Sequence, residues 1–214
     1  MSGCCRSASC EQMFGARFAR RSLRRFREKG LGDVERELVA SVVEGIEGSS
    51  VLEIGGGIGA IQTELLTAGA TTGAVVELVS AYEPYALELA EERGVSARSR
   101  FLVLDLLDGP GGVEPADVVV LNRVVCCTPD GVRLTAVAAR LTSDALLLSY
   151  PRDVWWVRAA VRLQNAGLWM IRRSFRAFVH RPAELTAAAV QAGLEPERTG
   201  GTTLWEYSVL RRAA

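Results

Sequence analysis

The sequence lacks any long apolar run. A membrane-spanning helix needs about 18 consecutive apolar residues, and no segment approaches that length. Its start also lacks the apolar core of a signal peptide. Net charge is absent too, because 25 basic and 25 acidic side chains balance. Lys29 is the sole lysine among many arginines, which is typical of a GC-rich bacterial genome. We therefore expect a cytoplasmic protein without stable membrane insertion and without a general attraction to nucleic acid.

Cysteines are few, and their number, five, is odd, which favours free thiols in a chain without a secretion signal. They form two groups, Cys4, Cys5 and Cys10 in a polar N-terminal tail and Cys126 and Cys127 after a predicted strand. Neither group has the C-x-x-C spacing of a zinc site, so we predict no metal. A joint site for a metal or metalloid stays open if the tail folds over the pocket.

A glycine-rich turn organises the chain, in Val51-Leu52-Glu53-Ile54-Gly55-Gly56-Gly57-Ile58-Gly59-Ala60. An apolar run with an acid, then glycines, then an amphipathic stretch predicts a strand that turns tightly into a helix. Glycines let the backbone approach a ligand closely, and the first amides of the helix point into the same space. The pattern therefore predicts a ligand site.

Two cofactor classes use such a turn. Gly55, Gly57 and Ala60 satisfy the dinucleotide pattern G-x-G-x-x-G/A, and Glu77 lies about twenty residues further on. That pattern alone predicts NAD(P). Glu53, however, stands just before the glycines, where its carboxylate would face a pyrophosphate with nothing in the motif to neutralise it. A cationic ligand suits this position better.

Glu53 and the following glycines resemble the first motif of class I S-adenosylmethionine (SAM)-dependent methyltransferases, an acid, one residue and then G-x-G-x-G. The resemblance covers about residues 32 to 212 and implies SAM as cofactor and S-adenosylhomocysteine (SAH) as product. The resemblance implies that Glu53, Gly55, Gly57 and Gly59 bind the methionine end of SAM. It also implies that Glu77 binds the ribose hydroxyls and that Asp105 binds the adenine amino group.

Asn122 and Arg123 follow the fourth predicted strand, at the edge where open α/β sheets bind ligands. In the family, residues at this point border the methyl group and often the acceptor. The resemblance therefore makes both residues candidates for positioning the reactants, with Asn122 also a cofactor contact. A salt bridge to a nearby acid is the alternative role for Arg123.

Predicted helices and strands alternate from residue 32, which indicates a parallel sheet with helices on both faces. The predicted strands are Ser50–Ile54, Ala74–Leu78, Arg100–Leu104, Val118–Leu121 and Ala145–Tyr150, followed by a hairpin of Glu195–Thr199 and Thr203–Leu210 around Gly200-Gly201. We predict an α/β, Rossmann-like three-layer sandwich with a mostly parallel seven-stranded sheet and an antiparallel C-terminal hairpin strand.

We expect a disordered tail over residues 1–10 and a single domain over residues 11–214. Glu11–Lys29 is predicted to form one basic amphipathic helix, and the resemblance implies that the helical residues 11–45 lie over the cofactor pocket. Residues 152–180 interleave tryptophan and phenylalanine with arginine and are predicted to cap the acceptor. An ordinary amphipathic helix, a membrane-surface helix or a nucleic-acid surface are the alternatives.

His180, the single histidine, is the obvious general base for an acceptor that must lose a proton. A structural role for it is equally open, and Tyr150 is a second candidate base.

We predict methyl transfer to a small molecule, with oxygen as the favoured acceptor atom. An NAD(P)-dependent oxidoreductase, a metalloid acceptor held by thiolates, and a non-catalytic protein that binds SAM, nucleic acid or a membrane surface remain alternatives. Oligomeric state cannot be read from this sequence.

Overall fold

A computed structural model describes residues 7–109 and 111–213. The strands are β1 Ser50–Ile54, β2 Thr72–Glu77, β3 Ser99–Val103, β4 Ala116–Asn122, β5 Thr142–Pro151, β6 Leu194–Gly201 and β7 Trp205–Arg212. The helices are α1 Ser7–Phe14, α2 Ala16–Lys29, α3 Asp33–Ala40, α4 Ala60–Thr67, α5 Glu83–Glu92, α6 Gly131–Arg140, α7 Trp155–Met170 and α8 Pro182–Val190. Within these described ranges, no helix has the length and apolar character that crossing a membrane requires.

All seven strands join one sheet in the order β3-β2-β1-β4-β5-β7-β6. The pairs among β1 to β5 are parallel, whereas β7 is antiparallel to both β5 and β6. This arrangement confirms the predicted fold class. Because β1, β2 and β4 are parallel neighbours, their last residues, Ile54, Glu77 and Asn122, come to the same edge of the sheet.

The hydrophobic core lies on both faces of the sheet. Along β4, Val119 and Leu121 pack into one cluster with α6 and α8, and Val118 and Val120 pack into the other with α3 and α4. Successive side chains of a strand point to opposite faces, so a strand buried on both faces needs a continuous apolar run. This explains why β4 was recognisable from its sequence.

Gly200 and Gly201, predicted to form the hairpin turn, instead pair within β6, opposite Tyr207 and Glu206. A Cβ at Gly200 would lie 2.6 Å from the Tyr207 hydroxyl oxygen. Glycine is therefore needed here to admit an aromatic ring of the neighbouring strand. The chain reverses over residues 202–204.

The N-terminal region contains two helices where one was predicted. Gly15 has an extended backbone (ψ −172°) between the end of α1 and the start of α2, and glycine is a poor helix former. The apolar spacing after α2 predicts a second helix from about Gly32 to Gly45, and the structure has a shorter one, since α3 ends at Ala40 and a 3-10 turn follows over Val43–Gly45.

The predicted disordered tail needs a correction. Residues 7–10 belong to α1, and the side chain of Cys10 is buried. They are helical because α1 packs on α2 and contributes Cys10 and Phe14 to an apolar cluster with Leu23 and Phe26. Cys4, Cys5 and the other tail residues up to 6 lie outside the described residues.

Candidate active site

A cavity of about 700 Å³ lies at the carboxyl edge of β1, β2 and β4. Its floor is the glycine turn between β1 and α4. Its polar wall consists of Glu35, Glu53, Glu77, Asp105, Asn122 and Arg123. Its roof comes from α1, α2, α7 and the residues after α7 and is mostly apolar, with Met13, Phe14, Phe18, Phe26, Val157, Val161 and Phe175, although α2 also contributes Arg25. One compartment thus combines polar groups on one side with apolar surface on the other, which is typical of small-molecule sites.

The glycine turn has the conformation that its sequence requires. Gly55, Gly57 and Gly59 have φ values of 65°, 57° and 68°, in the left-handed region that other residues rarely adopt. A Cβ at Gly55 would overlap the Val124 side chain, and one at Gly59 would lie 2.7 Å from Val75 Cγ2. Gly55 and Gly57 line the cavity, whereas Gly59 shapes the entry into α4.

Glu53 lies directly beneath this turn and is 2% exposed. A Cβ at Gly56 would approach its Cδ to 2.7 Å, and the Gln62 amide donates to Oε2 at 2.9 Å. Burial raises the pKa of Glu53 to about 8, with smaller contributions in the same direction from Glu35 and Glu77, while the Gln62 hydrogen bond lowers it. A carboxyl in this environment ionises most readily when a cation lies beside it.

Glu77 ends β2, and backbone amides hold its carboxylate towards the glycine turn. The Gly57 amide donates to Oε2 at 2.9 Å, and the amides of Leu78 and Val79 donate to Oε1 at 2.8 and 3.2 Å. Burial raises the pKa of Glu77, and these hydrogen bonds oppose the rise. A carboxylate can accept about four hydrogen bonds, two on each oxygen. Described amides make three of them, so one acceptor position remains, and it is on Oε2.

Asp105 stands after β3 on the cavity wall. Its Oδ1 accepts a hydrogen bond from the Leu107 amide at 2.9 Å, which fixes the carboxylate at the start of the loop. Leu104, Leu106 and Leu107 line the cavity beside it. A carboxylate flanked by apolar side chains suits a flat ring that carries an amino group.

Glu35 of α3 belongs to the same wall, although it was missed in the sequence. Its Oε1 accepts from Asn122 Nδ2 at 3.2 Å, and its Oε2 accepts from the Gly32 amide at 2.5 Å. The spacing from Gly32 to Glu35 is that of a capping box. In the sequence this pattern indicates the start of a helix and does not indicate that Glu35 belongs to a ligand site. Because Glu35 raises the pKa of Glu53, it adds to the negative charge of the cavity.

Arg123 turns the chain sharply after β4, with a φ of 56° that is uncommon outside glycine. Its amide donates to Ser149 Oγ at 2.9 Å. The guanidinium carbon lies 4.8 Å from the centroid of the Trp205 ring, and Nη1 lies 3.9 Å from Glu35 Oε1. Nε is buried without a hydrogen-bond partner among the described residues. Arg123 thus has the predicted acidic neighbour and also borders the cavity.

Cys10, Cys126 and Cys127 all line the cavity, so the structure brings the two cysteine groups to one compartment. The sulfurs of Cys126 and Cys127 lie 3.3 and 3.6 Å from the Arg123 carbonyl oxygen. A hydrogen bond with the Cys127 thiol lowers the pKa of Cys126. Residues 7–109 and 111–213 contain no group of three or more His, Cys, Asp or Glu side chains that could hold a metal. The described thiols are therefore neighbours of the ligand space, while the joint site considered for both cysteine groups includes Cys4 and Cys5, which lie outside the described residues.

His180 and Tyr150, the two candidate bases, are not brought to this cavity. His180 lines a separate cavity of about 390 Å³, and its Nε2 lies 2.9 Å from the Val125 carbonyl oxygen and 3.0 Å from that of Thr128. Tyr150 is buried, and its hydroxyl hydrogen-bonds with Ser208 Oγ at 2.7 Å. Both side chains hold neighbouring segments together in this arrangement.

The two segments predicted to cover the pocket meet above it. Phe14 and Phe175 pack edge to face with ring centroids 5.1 Å apart, and Arg173 Nη1 donates to the Gln12 carbonyl oxygen at 2.9 Å. Within residues 152–180, Phe175 is the aromatic residue that lines the cavity. Trp155 and Trp169 of the same segment are 81% and 71% exposed and do not line the cavity.

The fold is that of class I SAM-dependent methyltransferases, as solved structures show. Magnesium protoporphyrin IX methyltransferase from Synechocystis, with bound SAH, is 18% identical, with 94% of this chain and 97% of that chain covered and a TM-score of 0.73. An O-methyltransferase family 2 protein from Planctomyces limnophilus, in complex with apigenin, is 18% identical over 84% of this chain and 62% of its own, with a TM-score of 0.63.

The same fold also serves another reaction. The [4+2]-cyclase SpnF is 14% identical, covers 83% of this chain and 80% of its own, and has a TM-score of 0.62. Searches against protein-family models and curated protein sequences found no match. Similarity at these identities defines the architecture, and the reaction has to be argued from the site.

Proposed function

We propose that the protein is a SAM-dependent methyltransferase that acts on a small, largely apolar molecule. The observation that carries this proposal is Glu53, a carboxyl buried beneath a glycine turn with Glu35 and Glu77 close enough to raise its pKa. Such an acidic site favours a ligand with an ammonium and a sulfonium, whereas NAD(P) would set a pyrophosphate against the carboxyl. Structural neighbours solved with SAH and SAM support the same cofactor.

The cavity residues fit SAM in three parts. The glycine turn and Glu53 would hold the methionine end, the free acceptor position of Glu77 would take a ribose hydroxyl, and Asp105 would bind the adenine amino group between leucines. SAM, when bound, supplies a methyl group activated by its sulfonium. Asn122 and the Arg123 turn border the remaining space and would orient the acceptor. Orientation of this kind supplies on the order of 7–11 kcal/mol to a two-substrate reaction.

Oxygen remains the favoured acceptor atom, and the cavity favours an oxygen that is already ionised. Neither His180 nor Tyr150 reaches the cavity to remove a proton. Arg25 of α2 lines it and forms no ion pair with the part of the chain that the structure describes. A guanidinium binds carboxylate or phenolate oxygens through paired N–H groups. The roof rings of Phe14 and Phe18 suit a planar apolar body.

The cofactor is tested by calorimetric titration with SAM, SAH and NADH. We expect micromolar binding of SAM and SAH and its loss in Glu77→Ala, since a buried acceptor of the ligand is removed. Glu44→Ala is the matched control, because Glu44 is exposed and is not among the residues that line the cavity. Binding of NADH without SAM or SAH would refute the proposal.

The acceptor class is tested with pairs of aromatic carboxylic acids and their amides, followed by mass spectrometry of the product. We expect methyl esters from the acids and no transfer to the amides. Arg25→Gln should raise KM for the acid and leave SAH binding unchanged, because Arg25 lines the cavity and is not among the residues proposed to bind the cofactor. Equal methylation of acids and amides would contradict an ionised oxygen acceptor.

A further inference from the structure

The outer side of α7 carries an apolar line of residues that the proposed reaction does not use. Trp155, Leu163 and Met170 recur eight and seven residues apart, about two helical turns each, so they lie on the same side of the helix. Their exposed fractions are 81%, 76% and 75%. Trp169 and Ile171 lie beside the end of this line and are 71% and 66% exposed. We refer to these five residues as the outer stripe.

The fold does not need the outer stripe for its core. On the opposite side of α7, Val157 and Leu168 are buried, and Val161 lines the cavity. These inner residues provide the packing that holds the helix on the domain. Contiguous exposed apolar surface that a domain does not bury itself marks an interaction site.

The segment around the outer stripe is cationic. Residues 154–183 contain six arginines and no aspartate or glutamate, within a chain of zero net charge. Four of these arginines make ion pairs or donate to backbone carbonyls within the protein. The side chains of Arg162 and Arg172, adjacent to the outer stripe, are exposed and make no such contact with described residues. Apolar surface and unpaired positive charge therefore occur together.

We propose that the outer stripe, with Arg162 and Arg172, docks the protein on an anionic lipid surface. The helix lies in the plane of that surface, as amphipathic interfacial helices do. The tryptophans at its two ends match the boundary between headgroups and hydrocarbon. Leu163 and Met170 reach the acyl region, and the guanidinium groups bind the negative headgroups.

Two other occupants match the outer stripe less well. A second copy across a two-fold axis would bring each set of arginines against an identical set, so like charges would meet. A nucleic acid would stack on the tryptophans and pair with the arginines, but it offers no hydrocarbon to Leu163, Met170 and Ile171. An anionic lipid surface satisfies both the apolar and the charged groups.

The test is flotation of the unaltered 214-residue chain with phosphatidylcholine vesicles, with and without phosphatidylglycerol. We expect binding only to vesicles that contain phosphatidylglycerol, with a blue shift of tryptophan fluorescence. The double variant Leu163→Glu/Met170→Glu should lose binding. Arg162→Gln/Arg172→Gln should weaken it about 25-fold, since each basic residue near an anionic surface contributes about fivefold.

The matched control is Leu87→Glu/Val190→Glu, which adds the same charge at exposed apolar positions of α5 and α8 and should bind like the unaltered protein. Circular dichroism and thermal midpoints establish that every variant is folded, independently of any methyl transfer. Absence of binding to phosphatidylglycerol vesicles would overturn the proposal, as would undiminished binding by Leu163→Glu/Met170→Glu. A dimer that this variant converts to monomers in sedimentation would assign the outer stripe to a second copy instead.

Discussion

Glu53 should make the protein less stable as pH rises. Its pKa is raised by burial from an ordinary 4.5 to about 8. Between these values the folded protein holds one more proton at this site than the unfolded chain, so the free energy of unfolding falls with increasing pH. Stability from this site is fully present below about pH 4.5 and is lost by about pH 8. Over about 3.5 pH units, at about 1.36 kcal/mol each, the loss reaches at most about 5 kcal/mol.

Glu53→Gln removes this titration while keeping an acceptor oxygen for the Gln62 amide. We expect urea unfolding of the unaltered protein to show a decline of several kcal/mol between about pH 5 and pH 9, and the variant to show a much smaller one. Above pH 8 the variant should therefore be the more stable protein, although it should bind SAM more weakly. Glu44→Gln, at an exposed position, should follow the unaltered protein.

Parallel pH profiles for the unaltered protein and Glu53→Gln would refute this reasoning, because they would mean that the carboxyl titrates as it does in water. A variant that is more stable at high pH and also binds SAM undiminished would separate the burial of Glu53 from any role in the cofactor site. The two measurements together decide whether the stability lost by burying the Glu53 carboxyl is offset by a role of that carboxyl in ligand binding.

Three further predictions concern other cavity and neighbouring residues. Gly55→Ala should abolish SAH binding in calorimetry and lower stability by about 1–3 kcal/mol, because its positive φ strains any other residue and a Cβ overlaps Val124. His180→Ala should lower the free energy of unfolding by about 1–3 kcal/mol as two carbonyls lose their partner, while the pH–rate profile stays unchanged; a profile that loses an ionisation would make His180 the base. SAH should slow alkylation of Cys127 by iodoacetamide, measured by peptide mass spectrometry, and equal rates with and without SAH would place the ligand elsewhere.

The sheet and the polar groups at its carboxyl edge were predictable because their signals are local. The run of β4 is apolar without interruption, and the glycine turn follows β1 directly in sequence. Once the strands are parallel neighbours, Glu53, Glu77 and Asn122 must come to one edge. No contact between distant segments had to be known for these inferences.

Other contacts of the cavity and its surroundings were less predictable because they depend on how separate elements pack. Glu35 reaches Asn122 across 87 residues of sequence, and its own neighbourhood signals only a helix start. His180 is held by carbonyls 52 and 55 residues away. The outward position of Trp155 and Trp169 in α7 was not predicted, since a helix that is apolar all round does not show in its sequence which side the domain buries.

The position of β7 has a consequence for the order of folding. This strand follows all others in sequence, yet it pairs with β5 on one side and β6 on the other. Until residues 205–212 have been synthesised, β5 is an edge strand that pairs with β4 alone and carries apolar residues that the finished sheet buries. Exposed edge strands of this kind associate with other chains. Pairing across a long sequence separation is also slow. Completion of the sheet must therefore follow synthesis of β7, and a fragment that stops before Trp205 leaves β6 without a neighbour.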